Sequence, residues 1–422
     1  MSHESKRDLL LRESGLLTDG QVGRLGTHWV TTLEQLLVLG ASATRRRSGA
    51  ELLGMEAAAV DGVIERARAL APEVAAEAVA YPFEDFLGCL EPLTEAPPSP
   101  LPAGLADVEL PKESNLVPKM PPIRDQGRRG TCVAHAGTAL REYLTHRQDC
   151  DLSEQFLYWW SKEHDGQPGD GTYLTVAMEG LLEAGICREA DWAYNPNPVD
   201  GSEGQGPPPA GAERAAQEFR LKKAYCMARR PGGTVQVQPF KAFLGGELPR
   251  PIPFSVPLFD SFFNQATRRT GRVIMPLPGE EPRGGHAMCL VGYQDDEDVP
   301  GGGFFIVRNS WGEGWAYNCE QGAGHALIPF AYIEQHCWEA YTGDAEPLSG
   351  VTQAPRAQRT LETREARSPM DTGHCSACGK RMITQLDLAG RCTAPGCDGP
   401  ICNACWTVQR RRRCKNHEEE RA

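Results

Sequence analysis

The sequence has no apolar run approaching the roughly 18 residues that a membrane-crossing helix requires. Its opening, MSHESKRDLLLRESG, lacks the apolar core of a signal peptide, so a cytoplasmic location is expected. It also lacks any excess of positive charge. Across 422 residues, 44 Lys and Arg face 56 Asp and Glu, a formal charge of −12, so attraction of the whole molecule to nucleic acid is excluded and only a local basic patch would serve. There is no internal repeat, and the length suits two to four domains rather than one small scaffold.

Cysteine, by contrast, is plentiful and unevenly spread. Seven of the 15 fall in the last 48 residues, while Cys89, Cys132, Cys150, Cys187, Cys226, Cys289, Cys319 and Cys337 are scattered singly. Without an export signal these should be thiols or metal ligands, and their clustering marks the C-terminus as a separate module. Residues 1–93 form a helical, adaptor-like segment, with apolar residues at three- and four-residue intervals in Leu33-Leu36-Leu37-Leu39 and Val60-Val63-Ile64-Ala67-Leu70. Such a bundle either only packs or recruits a partner. A proline-rich linker over 94–104 follows, then a central domain over 105–345, a second linker over 346–372 and the cysteine-rich module over 373–422. In the central domain, helical stretches (132–146, 172–185) precede β-rich ones (253–258, 286–293, 304–308), which predicts an α+β fold with a helical half and a sheet half. The segment 195–211, NPNPVDGSEGQGPPPAG, reads as a surface loop.

Three central segments carry residue types suited to nucleophilic catalysis. A glycine-rich turn, Asp125-Gln126-Gly127-Arg128-Arg129-Gly130-Thr131, leads into a helix starting near Cys132, where the positive end of the helix dipole favours thiolate. Gly284-Gly285-His286 enters an apolar strand, and an imidazole there could exchange a proton with the thiol. Asn309, in Arg308-Asn309-Ser310-Trp311-Gly312 at a strand end, could hold that imidazole in one tautomer. The order Cys, His, Asn, with Gln126 six residues before the Cys and Trp311 two after the Asn, resembles the papain-like cysteine peptidases. Leu152-Ser153-Glu154-Gln155, Gly169-Asp170-Gly171-Thr172-Tyr173, Gly185-Ile186 and Gly292-Tyr293 extend that resemblance across about 105–343, and the bacterial intracellular kind is the most similar.

The resemblance implies a two-lobed domain with a helical lobe and a β-barrel-like lobe, and peptide hydrolysis through an acyl-thioester without a catalytic cofactor. It implies Cys132 as nucleophile, His286 as acid and base, Asn309 as its orienting partner, Gln126 with the Cys132 N–H as oxyanion hole, Trp311 as a shield, and Gly171, Thr172 and Gly285 as substrate-binding residues. Departures exist: Val133 and His135 replace aromatics, Thr172 stands in place of a glycine, and Ala316 replaces another. The N-terminal region shows no sign of the family's inhibitory propeptide, the helix-rich segment that threads the cleft, so regulation by simple zymogen cleavage is not expected. A catalytically silent, peptide-binding scaffold and a transglutaminase or acyltransferase are the alternatives.

In the C-terminal module, Cys375, Cys378, Cys392, Cys397, Cys402, Cys405, Cys414 and His417 supply four ligand pairs, enough for two tetrahedral structural Zn2+ ions. The spacing resembles a RING-like cross-brace, and sequential pairing is the alternative. The run Arg410–Arg413 invites nucleic-acid binding, but metal-bound thiolates bring the module near neutrality. Expected partners are therefore a protein or peptide substrate and proteins bound by the two flanking domains, with nucleic acid and membrane disfavoured; ubiquitin-ligase-like activity is the other use of such a module.

Overall fold

The computed structural model describes residues 6–40, 42–75, 87–96, 98–99, 109–230 and 234–345, and the backbone of 388–391 and 400–402. The chain divides into two compact units, 1–351 and 352–422.

The first unit begins with six helices: α1 (Leu11–Ser14), α2 (Asp19–Gly26), α3 (Leu33–Leu39), α4 (Ala43–Leu53), α5 (Ala57–Leu70) and α6 (Pro72–Ala75). Local chemistry sets their starts. Thr18 with Gln21 and Thr32 with Gln35 form capping boxes, satisfying first-turn N–H groups that would otherwise lack partners. The stripes legible in the sequence, Leu33-Leu36-Leu37-Leu39 and Val60-Val63-Ile64-Ala67, face one shared core. That core is completed from the central domain by Ile274 and Leu277. In exchange Trp29 joins the central core, stacked on Phe304 at 5.9 Å and with the Arg272 guanidinium over its ring at 4.9 Å. Arg45 donates to the carbonyls of Asp260 (2.6 Å) and Phe263 (3.2 Å), and buried Arg269 pairs with Glu34 (2.6 Å) and Asp8 (2.5 Å). The bundle is therefore packed into the central domain rather than strung beside it.

The helical half of the central domain holds α7 (Cys132–Tyr143), α8 (Glu154–His164), α9 (Leu174–Glu183) and the short α10 (Ala212–Ala216). The sheet half contains β1 (Glu113–Asn115), β2 (Leu221–Arg229), β3 (Ile252–Phe259), β4 (Pro282–Asp295), β5 (Gly303–Arg308), β6 (His325–Pro329) and β7 (Glu339–Ala345), with α11 (Gln238–Gly245), α12 (Gln265–Thr270) and α13 (Phe330–His336) around it. The strands are antiparallel in the order β2-β7-β3-β4-β5-β6, with β1 on β4. β3 is buried at every residue, as its run IPFSVPLF requires. Every residue of α7 is buried too, because it lies against α8 and α9 on one side and β3 and β4 on the other. The seam where the start of α7 meets β4 is where the two halves face each other.

Among the described residues no helix is long and apolar enough to cross a membrane. In the second unit, β8 (Leu388–Arg391) and β9 (Pro400–Cys402) pair antiparallel. Of the eight predicted metal ligands only the backbone of Cys402 is among the described residues; Cys375, Cys378, Cys392, Cys397, Cys405, Cys414 and His417 lie outside them.

Candidate active site

The structure brings the three separated candidate segments together. Cys132 is the first residue of α7, and Thr131 before it supplies no side-chain cap, so the first-turn N–H groups stay uncommitted to a cap. His286 lies in β4, and its neighbour Ala287 donates a backbone N–H to Cys132 Sγ at 3.4 Å. Asn309 follows the end of β5; its Oδ1 accepts from His286 Nε2 at 2.8 Å and from the Ser310 N–H at 2.8 Å. With Nε2 so engaged, the ring's Nδ1 has no hydrogen-bond partner among the described residues. Trp311 lies 4.6 Å from the His286 ring, tilted by 32°, and covers it from solvent. Gln126 is fully buried: its amide donates to Arg129 O at 2.8 Å, and its Oε1 accepts from Ser310 Oγ at 2.6 Å. Ser310, inside a recognised motif but assigned no role from sequence, thus orients the predicted oxyanion residue.

His135 is not part of this group. Its Nδ1 meets Thr131 O at 3.0 Å, its ring sits edge-on to Tyr194 at 4.9 Å, and burial lowers its pKa to about 4, as for a buried structural histidine.

One expectation is overturned outright. Residues 87–90, read as the tail of a helical stretch, are extended and lie along the cleft. Thr172 N–H donates to Gly88 O (2.9 Å), Leu90 N–H to Thr172 O (2.9 Å) and Cys89 N–H to Gly285 O (3.1 Å). The segment runs parallel to Thr172 and antiparallel to Gly285, so it joins the helical half to the sheet half. The three predicted substrate-binding residues, Gly171, Thr172 and Gly285, all line it. Its fit depends on glycine: a Cβ on Gly88 would lie 2.0 Å from Gly130 O, one on Gly285 2.1 Å from Cys89 O, and Gly171 (φ +89°) approaches Gly88 O so closely that its Cβ would lie 2.8 Å away. The Cys89 side chain is buried near Ser255 and Glu339. Downstream, Ala96 and Ser99 N–H groups bond to Arg229 O (3.0 Å) and Cys226 O (2.6 Å), tying the start of the proline-rich stretch to β2.

The closed cleft changes the electrostatics predicted from sequence. Burial pushes the Cys132 thiol up to about 12, although backbone N–H groups of Ala287, Gly88 and Val133 act against it, and burial lowers His286 to about 4. The helix end favours thiolate, but desolvation outweighs it while water is excluded. In this state thiol and imidazole are both neutral.

The loop before the nucleophile is held by Arg129. Its buried guanidinium donates to Gln155 Oε1 (2.7 Å), Asn195 O (2.8 Å) and Glu203 O (2.8 Å) and lies over the Tyr158 and Tyr194 rings at 5.2 and 5.3 Å. The segment 195–211 is accordingly anchored to the site rather than merely exposed.

Comparison with known proteins agrees with this geometry. Residues 110–320 match the family described as papain family cysteine protease. The chain is 29% identical over 218 residues to an uncharacterized peptidase C1-like protein of Acanthamoeba polyphaga mimivirus, covering 50% of this chain and 64% of that one. It is 27% identical to cysteine proteinase 1 of Entamoeba histolytica, covering 47% and 58%. The chain thus spans less than two thirds of the length of these relatives. Among solved structures, xylellain, a cysteine protease from Xylella fastidiosa, shares the fold with a TM-score of 0.52 at 20% identity, over 64% of this chain and 99% of that one.

Proposed function

The chain belongs to the papain family of cysteine proteases, and from that premise we propose that it is a cysteine peptidase held latent by its own residues 87–90. The observation that carries the reading is the placement of one imidazole, fixed through Nε2 on Asn309, beside the residue whose N–H touches a thiol at the start of a helix. In the opened enzyme His286 Nδ1 takes the thiol proton, and the thiolate, no longer desolvated, is favoured by the start of α7. Cys132 Sγ attacks the substrate carbonyl carbon. The oxyanion that forms is stabilised by the Cys132 N–H and the Gln126 amide, which Arg129 O and Ser310 orient. The imidazolium then protonates the leaving amine, and water hydrolyses the thioester with His286 as base. Asn309 keeps the ring in the tautomer that both steps need.

The cleft segment is an inhibitor rather than a substrate. It presents the Gly88 N–H to the thiol, while the Gly88 carbonyl is engaged by the Thr172 N–H. Three main-chain hydrogen bonds at about 1 kcal/mol each bias the cleft towards closure on the order of a hundredfold. The test is intact-mass detection of covalent labelling by a peptide epoxide. Slow labelling of the wild type, labelling at least tenfold faster in Gly88→Val and none in Cys132→Ala are expected. A folded Gly88→Val chain that never labels at Cys132 would sink the peptidase reading.

A further inference from the structure

Asp170 stands where the wall that grips an extended peptide meets the loop that leads to Cys132. Its Oδ2 accepts the backbone N–H of Gly130, two residues before Cys132, at 2.5 Å, and its Oδ1 accepts from the Tyr158 hydroxyl. The Tyr158 oxygen in turn accepts the Gly171 N–H at 2.8 Å, and Lys162 Nζ donates to Gly171 O at 2.9 Å. Gly171 and Thr172 form the wall, and Gly130 O is the atom against which Gly88 is packed. One carboxylate therefore fixes the distance between the peptide-gripping strand and the thiol. It also adds negative charge near that thiol, which works against ionisation of Cys132.

We propose that Asp170 is a positioning residue for the peptidase reaction, bridging Gly130 to the Tyr158–Gly171 wall so that the peptide-gripping strand and the loop that carries the thiol are held in one register. This rests on the peptidase reading above. The groups acting on the thiol are Cys89 from the cleft segment and Asp170 from the wall, with His286 next in β4 to Ala287, whose N–H reaches the sulfur; those around Asp170 are Tyr158, Tyr194 and Arg129, with Lys162 on the adjoining carbonyl. Asp170 is exposed at the rim, so solvent screens its charge and the electrostatic effect is modest.

Two variants separate its two roles. Asp170→Asn keeps a hydrogen-bonding amide in place but removes the charge, while Tyr158→Phe keeps the charge but breaks the link to Gly171. The measurement is residue-resolved iodoacetamide labelling of Cys132 against pH in the full-length chain, beside peptide hydrolysis by the Gly88→Val form. Labelling needs no turnover, so a chain that labels but hydrolyses nothing defeats the peptidase reading while still deciding the charge effect. With Asp170→Asn the labelling curve should move to lower pH by about 0.3 unit, because loss of a nearby negative charge favours thiolate. With Tyr158→Phe that curve should stay in place while KM rises about tenfold with kcat falling less than threefold, because the tie to the wall is a hydrogen-bonding unit worth roughly 1.4 kcal/mol. An unmoved curve in Asp170→Asn, or an unchanged KM in Tyr158→Phe, overturns the proposal.

Discussion

At the scale of single residues, the site is governed by which atoms are left without partners. Asn309 Oδ1 is shared between the His286 ring and the Ser310 N–H, so its removal frees both the imidazole and the loop that orients Gln126. Asn309→Ala should lower kcat/KM roughly a hundredfold with a smaller change in KM, as steady-state kinetics of the Gly88→Val form would report. A fall confined to KM would remove Asn309 from the chemical step. The neutral thiol–imidazole pair makes a second prediction, about pH. His286 is lowered to about 4 in the closed cleft from an ordinary value near 6.5, so the closed form is favoured above 6.5 and loses that preference as pH falls towards 4. Between those values opening gains about tenfold per pH unit, measurable as faster exchange or proteolysis of residues 87–90 at pH 5 than at pH 7. Equal rates at the two pH values would mean that His286 does not feel the segment.

At the scale of elements, the three candidate catalytic segments are legible because their chemistry is written in local words. A glycine-rich turn before a helix, a histidine entering an apolar strand and an asparagine at a strand end are each short-range signals, and α7, β4 and β5 realise them. The cleft segment was not legible for the opposite reason. Leu87-Gly88-Cys89-Leu90 binds through its main chain, and main-chain hydrogen bonds leave no side-chain period to read. Arg129 escaped notice likewise: a charge in a polar turn reads as exposed, and only the folded loop reveals its carbonyl acceptors. The joint between bundle and sheet half also depends on charges far apart in sequence. Arg269→Ala would strip Glu34, 2% exposed, of its 2.6 Å partner and leave it the longer 3.7 Å ion pair to Arg7. That change should cost about 2 kcal/mol and lower Tm by several degrees, whereas Arg12→Ala, on an exposed pair at 3.8 Å, should leave it within about a degree. Similar melting of both variants would mean that the bundle is not held by this contact.

At the scale of the whole molecule, the C-terminal unit adds a separable expectation. Its eight predicted ligands call for two zinc ions per full-length chain by elemental analysis, falling on Cys375→Ser while Cys132 labelling persists. A metal-free chain would assign those cysteines to another role. The described part of the molecule meanwhile has a consequence for its chemical lifetime. Its described thiols are buried apart from the half-buried Cys226, and Cys132, the proposed nucleophile, lies buried behind Gly88 with burial pushing its thiol up to about 12. Peroxide and alkylating metabolites attack thiolates, so burial protects the Cys132 sulfur in the state described. On the proposed latent reading, the protein would pass through an oxidising episode with Cys132 intact and become vulnerable only once the cleft opens.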